Sequence, residues 1–462
     1  MRPSRSPAPL TPAAPSPPPS PWARPPLSLL VGLFRPLYLL LVGVVSVLLK
    51  LLEVTLRVRY TERRWRLQEG VERLAPPREG RVDYALVGAV CSICALGLLM
   101  VYSASVTRAA HMMGSGVHFL RQQALFMGIG LTLMFFMSRL DYRFLKRYAW
   151  PLFWGSFALL ALVFVPGVGR EAKGASRWLM VGGVNVQPVE VVKLTFLLTL
   201  AKLFSESSVG ARRHWLAFMC FALPVALLSK QPDFGSIIIL GYLYSVALLL
   251  SGASQAFFLL VLAALSAAGT VMWFSYSHVS RRIYDFMAQF EEGAELGYNL
   301  KQALISFGSG RWVGEGIGRS SQKNFFLPES HTDFIFDIYG EELGFVGVLV
   351  LLALYATVFS RGLLAARRAR DPFGGLLAAM ITLLFFTQAL VNMLMAVGML
   401  PTKGLTLPLM SYGGSSLLLV CVALGALLNI SRYRPSLSAA SPAPALHSPA
   451  PPQAPTPHRS HA

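Results

Sequence analysis

Apolar runs of about 20 residues recur along this chain, and that recurrence decides most of what it can fold into. They lie near 84–103, 122–138, 149–167, 188–204, 215–229, 234–251, 255–276, 335–359, 375–398 and 408–430. As a helix, such a run satisfies its own backbone hydrogen bonds in hydrocarbon, where water is absent. The expected fold class is therefore all-α, a polytopic membrane protein of about ten transmembrane helices. Composition agrees, since 54% of the 462 residues are hydrophobic and 14% are charged. Soluble domains carry roughly 25% charged residues. A soluble enzyme, a DNA-binding module and a secreted scaffold are excluded.

Lysine and arginine outnumber aspartate and glutamate 41 to 22. In a membrane protein such an excess collects in cytoplasmic loops, and no nucleic-acid partner is expected. Arg139, Arg143, Lys146 and Arg147 share one loop. Arg212 and Arg213 share a second, Arg361, Arg367, Arg368 and Arg370 a third, and Arg432 and Arg434 follow the last run. Ten spans put all four segments on one side, which the positive-inside rule assigns to the cytoplasm together with both tails. The expected location is the cytoplasmic (inner) membrane, with many passes.

Residues 1–27 are rich in Pro, Ser, Ala and Arg, and 433–462 in Pro, Ala, Ser and His. Neither composition buries a core, so both read as disordered tails. Prolines occupy the place where a signal peptide needs a compact apolar region. His447, His458 and His461 are too sparse for a metal site. Residues 28–82 hold an apolar stretch, Leu37 to Leu49, readable as an interfacial helix or an extra span. An arginine- and glutamate-rich cytoplasmic segment, Arg57 to Arg81, follows it. The membrane domain is expected over 83–432. Cys91 and Cys94 have C-x-x-C spacing but lie inside an apolar run, so they read as packing residues.

Two outer loops stand out. One joins spans seven and eight, from Tyr276 to Phe334, and is dense in glycine, aromatics and charge. Long structured loops are commonly functional. The other runs from Val168 to Gln187 and carries Arg177 beside Trp178. Arg177 suits a phosphate or a lipid headgroup. Glu190 and Lys193 open the fourth span three residues apart, on one helix face. They read as a structural ion pair or as a polar site facing a hydrated groove. Asp233, in Gln231-Pro232-Asp233-Phe234-Gly235, reads as a helix cap or as a site residue.

The densest polar stretch is Leu327-Pro328-Glu329-Ser330-His331-Thr332-Asp333-Phe334-Ile335-Phe336-Asp337. With a helix starting near Asp333, the carboxylates of Asp333, Asp337 and Glu341 form a stripe descending about 12 Å from the outer mouth. Capping accounts for Asp333 alone, not for acids deeper in an apolar span. His331 suits a hydrogen bond at the helix entry better than metal ligation. In Leu400 to Ser416, prolines and glycines interrupt a membrane-embedded stretch, which persists only if buried or lining a polar cavity. Lys403 is the only charge there and suits an anionic group; Ser411 lies nearby, and Gly413-Gly414 reads as packing or as part of the site.

Taken in order, these motifs resemble the SEDS family (shape, elongation, division and sporulation) over about 84–432. The resemblance rests on Lys173 to Trp178, on Gln187 to Lys193 and on Gln231 to Gly235. It continues through Gly297-Tyr298, Leu327 to Phe336 with Gly340 to Gly344, and Pro401 to Ser416. Lys173 to Trp178 and Pro401 to Pro408 look like the division branch of the family rather than its elongation branch. The resemblance implies a peptidoglycan glycosyltransferase. Such an enzyme polymerises lipid II into β-1,4 glycan at the outer membrane face and releases undecaprenyl pyrophosphate. It also implies a class B penicillin-binding protein as partner, other division proteins, contact with membrane lipid, and a place at the division septum. Asp333 corresponds to the family's essential acid.

The chain departs from the family pattern at Asn299, at Gln302-Ala303-Leu304, at Val189 and at Asp337, where a small residue is typical. Converting an α-linked glycosyl diphosphate into a β-link implies inversion by direct displacement. That needs a base for the acceptor hydroxyl and positive charge on the leaving diphosphate. Asp333 is the expected base. Arg177, Lys193 and Lys403 are the expected diphosphate contacts, with a divalent cation (Mg or Mn) as a helper. A lipid II flippase, an elongation-type polymerase and a non-catalytic division scaffold are the rival readings.

Overall fold

The structure is a computed structural model that describes residues 80, 82–172, 175–181, 184–206, 210–253, 255–287, 290, 297–323, 327, 329–401 and 404–432. Both tails, residues 28–56 and nearly all of the arginine-rich segment lie outside the described residues.

Helices stand at all ten sites of the apolar runs. They are α1 (Tyr84–Met113), α2 (His118–Arg139), α3 (Arg143–Leu162), α4 (Pro188–Ser205), α5 (Ala211–Lys230), α6 (Phe234–Leu250) and α7 (Gln255–Ser275). Two shorter helices in the large outer loop, α8 (Ser277–Met287) and α9 (Tyr298–Gly310), come next. The last three are α10 (Ile335–Arg368), α11 (Pro372–Ala396) and α12 (Gly414–Arg432). By length and composition α1, α2, α10, α11 and α12 are each able to cross a membrane.

Local chemistry sets several starts. Asp83 caps α1 by accepting the Leu86 amide at 3.2 Å, and Asp233 caps α6 by accepting the Ser236 amide at 3.4 Å. Pro188 and Pro372 open α4 and α11, where a proline's missing N–H breaks no helical bond. The last span begins at Gly414 rather than near 408, because Pro408 and a turn through Ser411 precede it.

The outer loop from Val168 to Gln187 adds a small antiparallel sheet to the all-α architecture. It consists of β1 (Gly169–Ala172), β2 (Ala175–Val181) and β3 (Val184–Val186) in the order β1-β2-β3. Met180 faces Asn185 across β2 and β3.

Helix α11 is buried along most of its length and packs against α10, α12, α4 and α6. The basic loops meet at one end of the bundle. There Arg361 pairs with Asp83 at 2.7 Å, Tyr142 donates to Asp371, Asn429 accepts the Tyr142 amide at 3.0 Å, and Arg432 donates to Ser138 O at 3.2 Å. The sheet, the Asp333 turn and the loop before α12 lie at the opposite end, as the charge pattern requires.

Helix α10 is broken. Gly344 has φ 64° and ψ −168°, which splits a short outer piece from a long inner one. The chain from Arg311 to Gly316 covers the break. Phe345 N donates to Arg311 O at 2.9 Å and Val346 N to Trp312 O at 3.0 Å. In return Glu315 N and Gly316 N donate to Glu341 O and Glu342 O at 3.0 and 3.1 Å. Backbone freed at membrane depth is thus satisfied by protein, as it must be.

The helix starts at Ile335, as the apolar run does, and Phe334 occupies the cap position without a side-chain cap bond. One sequence expectation at this helix is corrected: the three acids do not make one stripe descending from the outer mouth. Asp337 and Glu341 are sealed inside the protein, and Glu341 turns to the Ser320 and Ser321 hydroxyls.

Candidate active site

The turn before α10 carries Asp333. Glu329, at φ 57°, offers its carbonyl to the amides of Thr332, Asp333 and Phe334 at 3.1, 3.2 and 3.4 Å. A non-glycine residue in that region costs roughly 1–3 kcal/mol, and such strain clusters at functional sites. Ser330 fastens the turn to α1 by donating to Ala104 O at 3.2 Å. The half-buried Asp333 carboxylate lies beside the loop before α12. A Cβ placed on Gly404 would lie 3.1 Å from Asp333 Oδ2.

His331 and Ser411 meet in the same web. His331 O accepts the Tyr412 amide at 3.0 Å, and its ring lies 4.7 Å from Phe119 and 5.6 Å from Tyr412. Ser411 Oγ accepts the Leu407 amide at 2.8 Å, closing the turn over Pro408. Gln123 of α2, fully buried, donates to Ser411 O at 3.1 Å. These contacts give His331 and Ser411 a part in holding the loop.

Arg177 and Asp233 are also brought together. From β2, Arg177 donates to Gln231 O at 3.2 Å and to Pro232 O at 2.7 Å. Asp233 accepts the Ser236 hydroxyl at 2.7 Å. Two of the five guanidinium donors are thereby used, and among the described residues no carboxylate pairs with Arg177.

Glu190 and Lys193 form an ion pair at 2.7 Å with side chains 14% and 3% exposed. They line a shallow cleft between α4, α11 and α12, with Leu194, Phe385, Gln388 and Val420. Gln187 N donates to Ser415 Oγ at 3.4 Å and so ties the start of α4 to the start of α12. Gln388 and Asn392 share one face of α11, one turn apart. Asn392 donates to Asp333 O, so this face links the cleft with the Asp333 turn. Lys403 lies outside the described residues.

Sequence reasoning missed Gln123, Asn392 and the group around Glu342. The signal was present: amides inside apolar spans, which are costly unless used. Glu342 Oε1 accepts Ser103 Oγ at 2.6 Å and Ser320 N at 3.3 Å, and lies 3.4 Å from Lys323 Nζ. Among the described residues no three His, Cys, Asp or Glu side chains stand together as metal ligands.

A helical membrane protein with a carboxylate at its outer end and an ion-paired lysine lining a cleft between helices defines the class. The sequence profile of the FtsW/RodA/SpoVE cell cycle proteins matches residues 84–436, and the chain belongs to that family. It is 37% identical over 355 residues to a probable peptidoglycan glycosyltransferase FtsW of Geobacter metallireducens, covering 76% of this chain and 95% of that protein. The corresponding FtsW of Alkalilimnicola ehrlichii is 38% identical over 371 residues, covering 79% and 92%. Among solved structures, a chain of a peptidoglycan synthase complex that coordinates polymerization and crosslinking matches with a TM-score of 0.63. It is 31% identical, with 76% of this chain and 98% of that one covered. The rod shape determining protein RodA of Thermus thermophilus gives a TM-score of 0.57 at 30% identity, covering 77% and 98%.

Proposed function

We propose that the chain polymerises lipid II into β-1,4 glycan as an FtsW-type peptidoglycan glycosyltransferase, with Asp333 as the base. The observation that carries this reading is the placement of Asp333. It lies two residues before the helix, on a turn strained at Glu329, with its carboxylate beside the loop that closes the site. Asp333 takes the proton of the acceptor hydroxyl as that oxygen bonds to the anomeric carbon. The bond from that carbon to the diphosphate breaks, and the diphosphate leaves with the electron pair. Arg177, Lys193 and Lys403 supply positive charge to the leaving group, where fixed charge acts most strongly. The apolar wall of the cleft below Lys193 suits the prenyl chain.

A Mg or Mn ion would be held chiefly by the substrate diphosphate with one or two carboxylates. Asp333 is the carboxylate placed to contribute to that. The chain's likeness to a chain of a complex that coordinates polymerization and crosslinking supports a class B penicillin-binding protein as partner, and its FtsW relatives support a place at the division septum.

The test supplies labelled lipid II to the purified chain with its partner. Glycan polymer supports the reading, and general base catalysis worth roughly 10²–10⁴-fold predicts its near disappearance in Asp333→Asn. Translocated lipid without polymer identifies a flippase. An inserted, partner-bound Asp333→Asn chain at normal rate overturns the assignment.

A further inference from the structure

We propose that Asn392 is a positioning residue for Asp333. Its side-chain amide fixes both the backbone that carries the carboxylate and the backbone wall that the carboxylate faces. The inference rests on the reading of Asp333 as the base.

Asn392 lies on α11 with 1% of its surface exposed. Its Nδ2 donates to Asp333 O at 3.0 Å and to Leu405 O at 2.6 Å. A primary amide has two N–H donors, so both are used. The two acceptors belong to different segments: the turn before α10 and the loop before α12. The Asp333 carbonyl is bonded to the same backbone that carries its Cβ, so holding that oxygen limits how the side chain swings. Leu405 follows Gly404, the residue whose missing side chain leaves room at Asp333 Oδ2. One amide thus sets the gap between carboxylate and wall. A buried helix is a rigid mount for it, and supporting hydrogen bonds of this kind hold a reacting group within a fraction of an ångström.

A merely structural role would be to satisfy two carbonyls at membrane depth. The two roles separate in kinetics. Asn392→Asp keeps the size but replaces the donor by a carboxylate, which donates one bond only when protonated. Misplacing a reacting group by about 1 Å costs on the order of 10²-fold. The expected result for Asn392→Ala and Asn392→Asp is a kcat lower by roughly 10- to 100-fold, with KM for lipid II little changed. The Asp variant should recover part of the deficit as pH is lowered. In an Asp333→Asn background, adding Asn392→Ala should leave the residual rate where it is.

The assay uses the full chain with its partner in proteoliposomes and labelled lipid II. Normal kcat in both inserted Asn392 variants overturns the proposal while Asp333→Asn still abolishes polymer. A loss confined to KM, or further loss on top of Asp333→Asn, also overturns it. Failure of both variants to insert assigns the amide to the fold and overturns it as well. Normal activity of Asp333→Asn would instead sink the underlying reading.

Discussion

Lys323 Nζ lies 3.4 Å from Glu342 Oε1, a carboxylate that solvent does not reach. The pair joins the loop that leads to the Asp333 turn to the outer piece of α10. Losing one partner of a buried pair leaves a bare charge and costs roughly 3–5 kcal/mol. Lys323→Met should therefore lower unfolding stability in detergent by about that amount. Glu342→Gln added to it should restore much of the loss, because the charge is then gone. A double variant as unstable as Lys323→Met alone would show that the pair is not the cause.

Gly344 breaks α10 at a backbone conformation that L side chains rarely adopt. A Cβ there would also sit 2.4 Å from Gly314 N, in the chain that covers the break. Gly344→Ala should cost at least about 1–3 kcal/mol from conformation alone. Exchange of the Phe345 and Val346 amides should speed up, since their acceptors are in the covering chain. Unchanged exchange at both would mean the break does not depend on that cover.

Asp337 is fully buried, and neither carboxylate oxygen has a hydrogen-bond partner among the described residues. A buried polar group without partners is destabilising, and an ionised one far more so. Asp337→Asn should be stability-neutral and Asp337→Leu stabilising, with polymer formation retained in both. Thermal unfolding and the lipid II assay check the two halves separately. A large loss of polymerisation in a stable Asp337→Asn chain would place this acid in the chemistry.

The ten apolar runs located ten helices because burial in hydrocarbon leaves one backbone solution for a run of that length. Glu190 and Lys193 stood out in sequence because charge at membrane depth is costly, and Asp333 stood out through the family motif around it. The three-stranded sheet was not, since the strand residues from Gly169 to Val186 lack a long alternating pattern and pair only through a short meander. The acidic stripe failed because Asp333 precedes the first residue of the helix, while Asp337 and Glu341 are covered by protein, Glu341 by Ser320 and Ser321; spacing gives angular position but not what each side chain meets. Asn392 stands out in sequence only as an amide inside an apolar span; its partners, the carbonyls of Asp333 and Leu405, are backbone groups that no side-chain pattern records.

The Glu190–Lys193 pair provides the remaining test. Its 2.7 Å separation and one-turn spacing make it a local bond within α4, while its position on the cleft wall exposes it to whatever fills that space. A purely structural pair would need only charge balance, so Glu190→Gln with Lys193→Met should then be tolerated. A lysine that also meets the diphosphate must keep its positive charge even when the carboxylate is gone. Lys193→Arg should therefore retain polymer formation, Lys193→Ala should lose most of it, and the charge-balanced double variant should be as inactive as Lys193→Ala. Each is measured against lipid II at equal amounts of inserted protein, because breaking the pair also costs stability. Normal polymerisation by the double variant would leave Lys193 as a packing element of α4 and move the diphosphate toward Arg177.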